Sequence, residues 1–323
     1  VIRFRPYRNS DPPALAELWN RTLPSQGVVK PLSAHDFDTL VMGKHLFDPA
    51  GLIVGERDGR VVGFAHAGFG PVQPEGPSHR LDHDLGTIAM LAVESNATID
   101  EELESGLVRE AIAYLRGRGA QVIYAGGQYP LNPFYWGIYG GSEFAGVLGS
   151  HTAFHRAALR ARFEPVSQSR MMEADLARPE PRDPRSTLLR RQVRTETPED
   201  VRPSSWWQAI AIGTYRPCRV RLISRGDGAE LARAMTWDIA SGFGLGDGRP
   251  RTGLIDVFVQ PTHRRRGLGR LLIAEVFRHA RDQLAEIVVV QVAEDNHPAF
   301  GLYSATGFET VETATLYRLP AGA

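Results

Sequence analysis

The pattern that most limits how this chain can fold is internal: its second half runs through the elements of its first, in the same order and at a nearly constant distance. An Asp-Gly pair joins two β-rich runs at Asp58-Gly59 and again at Asp227-Gly228, an offset of 169. The glycine accepts the positive φ that a tight hairpin turn needs. The apolar run 88–93 corresponds to 255–260 at an offset of 167. Leu107 and Leu271 hold matching helix positions at an offset of 164, and Asn132 and Tyr139 match Asn296 and Tyr303 at that same offset. An offset that drifts by a few residues, at loops, is what a duplicated unit with small insertions produces. Two unrelated α/β units would share element order, but not the paired Asn-x6-Tyr spacing closely followed by glycine.

A chain of 323 residues exceeds what one compact core usually occupies, which also argues for two units. In the first, the patterns predict a strand over 2–7, helices over 14–23 and 33–42, a hairpin over 52–56 and 61–69, and a strand over 87–93. A helix over 101–116, a strand over 122–125, the aromatic-rich segment 132–144 and two further strand-like runs ending near Leu176 complete it. Residues 179–203 carry Pro179, Pro181, Pro184, Pro198 and Pro203 among many charges and read as a linker, with a short strand near 192–196 that belongs to the second unit. That unit then has a short helix near 205–212, a hairpin over 219–224 and 230–239, strands over 254–259 and 287–292, and helices over 271–283 and 296–308. The expected division is 1–178, 179–203 and 204–323. The second unit is abbreviated at its start, which leaves its acceptor side open or covered by the first unit.

Composition excludes some functions. Lys plus Arg (37) equals Asp plus Glu (37), so no global field draws the chain to nucleic acid or an anionic membrane. The one cysteine, Cys218, can form no intrachain disulfide. No stretch has the apolar length of a signal peptide or a membrane span, so the expectation is a soluble cytoplasmic protein. His79 and His83, with Asp82 and Asp84, carry metal-binding side chains but lack a second cluster, and no metal site is expected. His151 and His155 fall in a strand-like run where a spacing of four sets both on one face, with surface or core polar roles expected. Trp206 and Trp207 suit either a core or an acceptor cleft.

The chemistry concentrates in Ile255 to Phe277, IDVFVQPTHRRRGLGRLLIAEVF. An apolar strand runs into Pro261, a basic turn with two glycines comes next, and a helix begins near Gly267. The first turn of a helix offers unpaired N–H groups and a positive dipole end, which suit a phosphate. Gly267 and Gly269 leave room for a pyrophosphate, and Arg264, Arg265, Arg266 and Arg270 add charge that a polyanion would compensate. Neither the Gly-Lys-Ser/Thr of a P-loop nor the third glycine of a dinucleotide turn is present.

The run Arg264-Arg265-Arg266-Gly267-Leu268-Gly269 resembles motif A of the GNAT superfamily of N-acyltransferases, (Gln/Arg)-x-x-Gly-x-(Gly/Ala). NHPAFGLYSATGFE, from Asn296 to Glu309, is similar to that family's motif B at nearly every defined position. The resemblance implies two tandem GNAT-like α/β (α+β) domains, each a mixed, mostly antiparallel sheet flanked by helices. It implies acetyl-CoA or another acyl-CoA as cofactor and direct attack of a primary amine, most simply a small molecule, on the thioester. Val257 and Val259 would offer backbone groups to the pantetheine arm. The amides of Arg265, Arg266, Gly267, Leu268, Gly269 and Arg270, with Arg264 beside them, would cradle the pyrophosphate. Asn296 would bond near the pantetheine, and Tyr303 would protonate the departing thiolate. Asp256 is the expected general base, with Glu294 and Asp295 as competitors. In the first unit the matching loop, Glu94 to Glu101, has no glycine and three carboxylates and would repel a pyrophosphate. That unit is therefore expected to be degenerate, with Tyr139 structural and the acceptor bound in a cleft between the two halves. A non-catalytic acyl-CoA sensor and a protein or peptide acyltransferase are the alternatives.

Overall fold

A computed structural model describes residues 1–94, 101–179, 184–197, 201–203, 205–213, 215, 217–239 and 248–321. In chain order the first half comprises β1 (Ile2–Pro6), α1 (Pro12–Thr22), α2 (Ala34–Phe37), β2 (Leu52–Arg57), β3 (Arg60–Pro71), β4 (Leu81–Val93), α3 (Glu101–Gly117) and β5 (Val122–Ala125). It continues through β6 (Val147–Leu148) and α4 (Thr152–Arg160) to β7 (Glu164–Asp175). The second half comprises α5 (Ser186–Gln192), β8 (Val193–Glu196), α6 (Trp206–Ile212), β9 (Cys218–Ser224), β10 (Glu230–Ile239) and β11 (Arg251–Val259). Then come α7 (Leu268–Asp282), β12 (Ile287–Ala293), α8 (His297–Ser304) and β13 (Glu309–Arg318). The architecture is the expected one: mostly antiparallel β-structure flanked by helices, in two equivalent runs.

Turn chemistry sets both hairpins. Asp58 and Gly59 both have positive φ (52° and 75°), and β2 pairs β3 from Arg57↔Arg60 onward, so the turn is a two-residue loop of the kind Asp-Gly favours. The second hairpin uses Gly228 at φ 74° in a longer loop closed by Ser224 N to Ala229 O. In each half one parallel pair joins the strand after the hairpin to the strand after the long helix: β4 with β5, and β11 with β12. The helical crossover between such strands is what a parallel pair requires.

The halves lie side by side in one sheet with their final strands exchanged. The thirteen described strands form one sheet in the order β1-β2-β3-β4-β5-β13-β7-β12-β11-β10-β9-β8, with β6 pairing β13 at the side. The last strand of the second half, β13, pairs β5 of the first half. The last strand of the first half, β7, pairs the whole of β12 in the second, and β7 and β13 pair each other from Glu164 to Glu173. Each half thus completes its sheet with the other's final strand. The main apolar cluster crosses the junction as well, uniting Trp19, Tyr135 and Phe144 with Met235, Trp237 and Val289. Lys44 adds a polar tie: its ammonium donates to the carbonyls of Pro133 (2.8 Å), Ile210 (2.8 Å) and Ala211 (2.9 Å), the last two at the end of α6 where carbonyls lack helix partners.

Several stretches differ from the sequence expectation: Glu309–Arg318 forms β13 where no strand is expected, β4 begins at Leu81 and not at 87, and the expected helix over 33–42 divides after Phe37. Residues 152–160 form helix α4, not a strand: Phe154, Ala157 and Ala158 fall at the three- and four-residue spacing of one buried helical face. His155 sits on that helix and bonds Tyr317 Oη (2.6 Å) and Leu148 O (2.9 Å). In the proline-rich stretch, the proline-free run after Pro184 forms α5, whose Arg190 pairs with the buried Glu275 of α7.

Because β7 and β13 take their strand partners from the opposite half, a chain cut after residue 178 leaves each fragment with its last strand unpaired and an inner sheet edge bare. Separately expressed 1–178 and 179–323 are predicted to aggregate or remain unfolded by circular dichroism and gel filtration, and to recover a cooperative melt when co-expressed. A folded, monomeric 1–178 fragment would show that the exchange is dispensable.

Candidate active site

The site begins where β11 and β12 part. They pair only from Arg251↔Ile287 to Leu254↔Val290, yet β11 runs on to Val259 and β12 to Ala293. Each keeps its outer partner past that point: β11 remains on β10 as far as Val259↔Ala232, and β12 on β7 as far as Ala293↔Ser169. The outer ladders therefore hold a wedge open, with unclaimed backbone groups on its walls, as an extended ligand adding itself to a strand requires.

A bulge shapes one wall. Ile255 faces Met235 and Phe258 faces Arg233, so Asp256 and Val257 together oppose the single residue Ala234. Asp256 has φ 49°, an unusual conformation for a residue other than glycine. Its carboxylate is held by Arg233 (Nε to Oδ2 3.0 Å), which also lies 3.5 Å from Glu230. Val257 and Val259 are half-buried on this wall. The Val259 carbonyl already accepts from Arg264 Nε at 3.1 Å, so a ligand amide reaching it must displace that guanidinium.

At the open end of β11 the chain turns through a 3₁₀ segment, Pro261–His263, into α7. Arg265 has φ 61°, and Gly267, the residue before the helix, has φ 90°, a geometry glycine adopts without strain. Arg264, Arg265, Arg266 and Arg270 are all exposed around the amides that open the helix. Gly269 has a second role, because a Cβ there would stand 3.2 Å from Leu302 of α8. The loop fits a diphosphate by its donor set: free helix-end amides, a positive dipole end and four exposed guanidiniums.

Tyr303 lies on α8 and is 5% exposed. Among the described residues its hydroxyl makes no hydrogen bond. Burial, and then the charge of Glu143, push its phenol well above the ordinary tyrosine range. The contrast with Tyr139 is sharp: that hydroxyl accepts from Leu148 N (3.0 Å) and bonds His151 Nδ1 (3.0 Å), which is a structural role. Asn296 is exposed and caps α8 through Oδ1, which accepts from Ala299 N at 3.2 Å. Glu294 pairs with Arg170 (2.9 Å), and Asp295 is exposed.

The first half has no such wedge among its described residues. β5 ends at Ala125, where β4 and β5 stop pairing, and the segment matching α8 makes turns instead of a helix. Its Phe134, Tyr135, Tyr139 and Phe144 pack in one cluster with Met90 and Ala92 of β4. Most of the acidic loop expected to repel a pyrophosphate, residues 95–100, lies outside the described residues.

Beside Asp256 lies a cavity of about 540 Å³ walled by both halves. Glu75, Tyr129, Trp136 and Glu143 come from the first, and Gln208, Arg219, Glu230, Arg233, Met235 and Ile255 are among those from the second. Glu143 and its aromatic neighbours lie in or beside the segment 132–144, which is conspicuous in sequence but reads there as structural; only Gly140-Gly141 hints at a tight turn presenting the next side chains. Trp207 is core, and Trp206 packs on His79 at 5.2 Å. His83 stacks instead on Phe69 at 4.7 Å, and no group of three or more His, Cys, Asp or Glu converges among the described residues. No described helix is long and apolar enough to cross a membrane.

Residues 224–308 match the model of the Acetyltransferase (GNAT) family, a stretch that holds the bulge, the arginine-glycine loop and α8. That stretch is similar to the GNAT family, and the chain as a whole shares its fold with tandem GNAT proteins. A tandem GNAT protein from the clavulanic acid biosynthesis pathway has the same fold over 100% of this chain and 99% of its own, with a TM-score of 0.66 at 17% identity. A GCN5-related N-acetyltransferase from Sphaerobacter thermophilus covers 98% of this chain and 95% of its own, with a TM-score of 0.65 at 16% identity. Among curated proteins, a mycothiol acetyltransferase of Thermobifida fusca is 36% identical over 99 residues, 30% of this chain. That match spans 31% of the relative's own length, and those to the enzymes of Saccharomonospora viridis and Nocardiopsis dassonvillei span 23% and 28%.

Substitution of two glycines checks the backbone conformations directly. Gly267→Ala places a Cβ in the left-handed region, at a cost of about 1–2 kcal/mol, and should lower the melting temperature by a few degrees. Gly301→Ala, inside α8 with open space around its Cβ position, should raise it. Equal shifts in a differential scanning experiment would contradict the assigned conformations.

Proposed function

We propose that the chain is an acetyl-CoA-dependent N-acetyltransferase with one catalytic centre, in the 204–323 half, acting on a small primary amine. The observation that carries this reading is the wedge between β11 and β12, which ends at the arginine-glycine loop, in the half that also carries Tyr303, a residue 5% exposed whose hydroxyl makes no hydrogen bond among the described residues. In this reading the pyrophosphate lies over the amides of Arg265 to Arg270, with Arg264 and Arg266 beside it. The pantetheine runs along the wall formed by Val257 and Val259, within reach of the Asn296 amide. The duplicated units are 1–178 and 204–323, joined through 179–203, and their final strands have been exchanged.

The acceptor occupies the shared cavity. Four carboxylates line it, Glu75, Glu143, Glu230 and Asp256, against two guanidiniums, Arg219 and Arg233, a balance that favours a cationic amine. Trp136 Nε1 and Arg219 Nε are buried at its wall without partners among the described residues. An acceptor bearing oxygens near its amine would satisfy them. Asp256, already engaged by Arg233, helps to fix the charge of this wall. The unprotonated amine attacks the thioester carbonyl, and a backbone N–H of the wedge steadies the oxyanion. Tyr303 gives its proton to the departing sulfur; a phenol held above its ordinary range keeps that proton until thiolate forms.

Thiol release measured with acetyl-CoA against a panel of primary amines (glucosamine, spermidine, tryptamine and lysine amide) should single out at least one acceptor. Tyr303→Phe should then lower kcat by about 10²-fold or more while the Kd for acetyl-CoA stays essentially unchanged. Binding without turnover by any amine would instead mark a sensor.

A further inference from the structure

We propose that Glu143, carried by the first half, takes the proton from the acceptor's ammonium at the second half's centre, so that each half supplies one member of the acid–base pair. This rests on the acyltransferase reading above and deepens it.

Several observations place Glu143 there. It lines the cavity with Asp256 and Met235. The turn that bears it is gripped from β12, because Gln291 Nε2 donates to the Gly140 carbonyl and lies 3.4 Å from that of Glu143. Gln291 comes directly after Val290, the last β12 residue paired to β11, so the grip is made where the wedge opens. Glu143 is also the charged group whose field bears on the Tyr303 phenol. The close approach depends on glycine: a Cβ on Gly141 would stand 2.8 Å from Val289, and Gly140 and Gly141 hold φ of 90° and 82°.

The other carboxylates are committed. Asp256 bonds Arg233, Glu230 lies within ion-pair distance of Arg233 and Arg221, and Glu75 accepts from the Tyr129 hydroxyl at 2.8 Å. Glu143 makes no ion pair among the described residues. Arg219, the remaining cation lining the cavity, belongs to β9, beyond β10 from the wedge. Burial raises the Glu143 carboxyl to about 7, where a base is half-ionised near neutrality.

The step balances. Glu143 carboxylate accepts one ammonium proton, and the freed lone pair forms the N–C bond. The C–S bond then breaks as sulfur takes the Tyr303 proton, and the second proton on nitrogen returns to the Tyr303 oxygen. Glu143 loses its proton to solvent, giving amide, free thiol and one released proton.

The test compares the pH dependence of kcat/KM for the full chain, Glu143→Gln and Asp256→Asn, using acetyl-CoA and the best amine of the panel. The wild type should rise about tenfold per pH unit below about 7 and level off above it, because the base must be ionised. Glu143→Gln should lose that limb and about 10²–10⁴-fold of the plateau rate while binding acetyl-CoA unchanged. Asp256→Asn should keep the limb. A limb lost in Asp256→Asn and kept in Glu143→Gln overturns the assignment and leaves the enzyme reading standing. No turnover with any amine despite acetyl-CoA binding overturns both. Carboxyl ¹³C resonances of the CoA-loaded chain give a check without turnover: a signal absent from Glu143→Gln should titrate near 7, and titration near the ordinary glutamate value of about 4.3 contradicts the proposal.

Discussion

The exchange of final strands between the halves is the constraint on which the rest depends. β7 closes the second half's sheet and β13 closes the first, so neither half has a complete edge of its own. The backbone ladder that makes this exchange also shapes the candidate site. β12 is held by β7 along seven residues, and so it keeps its course when β11, held by β10, turns away. A wedge between two parallel strands would otherwise close, since unpaired backbone groups in a sheet interior are costly. Here the first half's last strand helps to keep it open.

The same exchange explains why an inactive-looking half is retained. With the junction packed as continuous core, the segment 129–144 lies against β10, α6 and β12, and its turn at Gly140-Gly141 delivers Glu143 to the opening of the wedge. In the first half the matching positions are filled by that segment's own aromatics. One copy of the fold keeps the gap and the arginine-glycine loop; in the other, the equivalent segment helps to wall the cavity beside Asp256. Charge is divided in the same way, with exposed guanidiniums around the loop and a carboxylate-rich cavity beside Asp256.

Much of this is legible in the sequence, for local reasons. Asp58-Gly59 and Asp227-Gly228 announce their turns because few residues accept positive φ, and the arginine-glycine run with NHPAFGLYSATGFE marks the half that matches the GNAT family. The apolar periods place β2, β3, β5 and α3 closely. The exchange is not legible, since the run after Phe308 is not read as a strand at all and nothing in a strand states which neighbour it takes. Helix α4 escapes sequence reading because nine residues with only three on the buried face are too few to establish a period. Asp256 is readable as a carboxylate on the strand before the arginine-glycine loop, but its capture by Arg233 depends on a bulge that only pairing reveals. Glu143 lies beyond sequence reasoning for the same cause: it reaches the site across the junction, 160 positions from Tyr303.

Central to this mechanism is a single acyl-CoA site per chain, built on the second half and completed by the first. Calorimetric titration of the full chain with acetyl-CoA, combined with hydrogen exchange, addresses it most directly. One molar equivalent should bind, with protection confined to 255–259, 265–270 and the turn around 140–143. Two equivalents, or protection along β4 of the first half in place of β11, would contradict it.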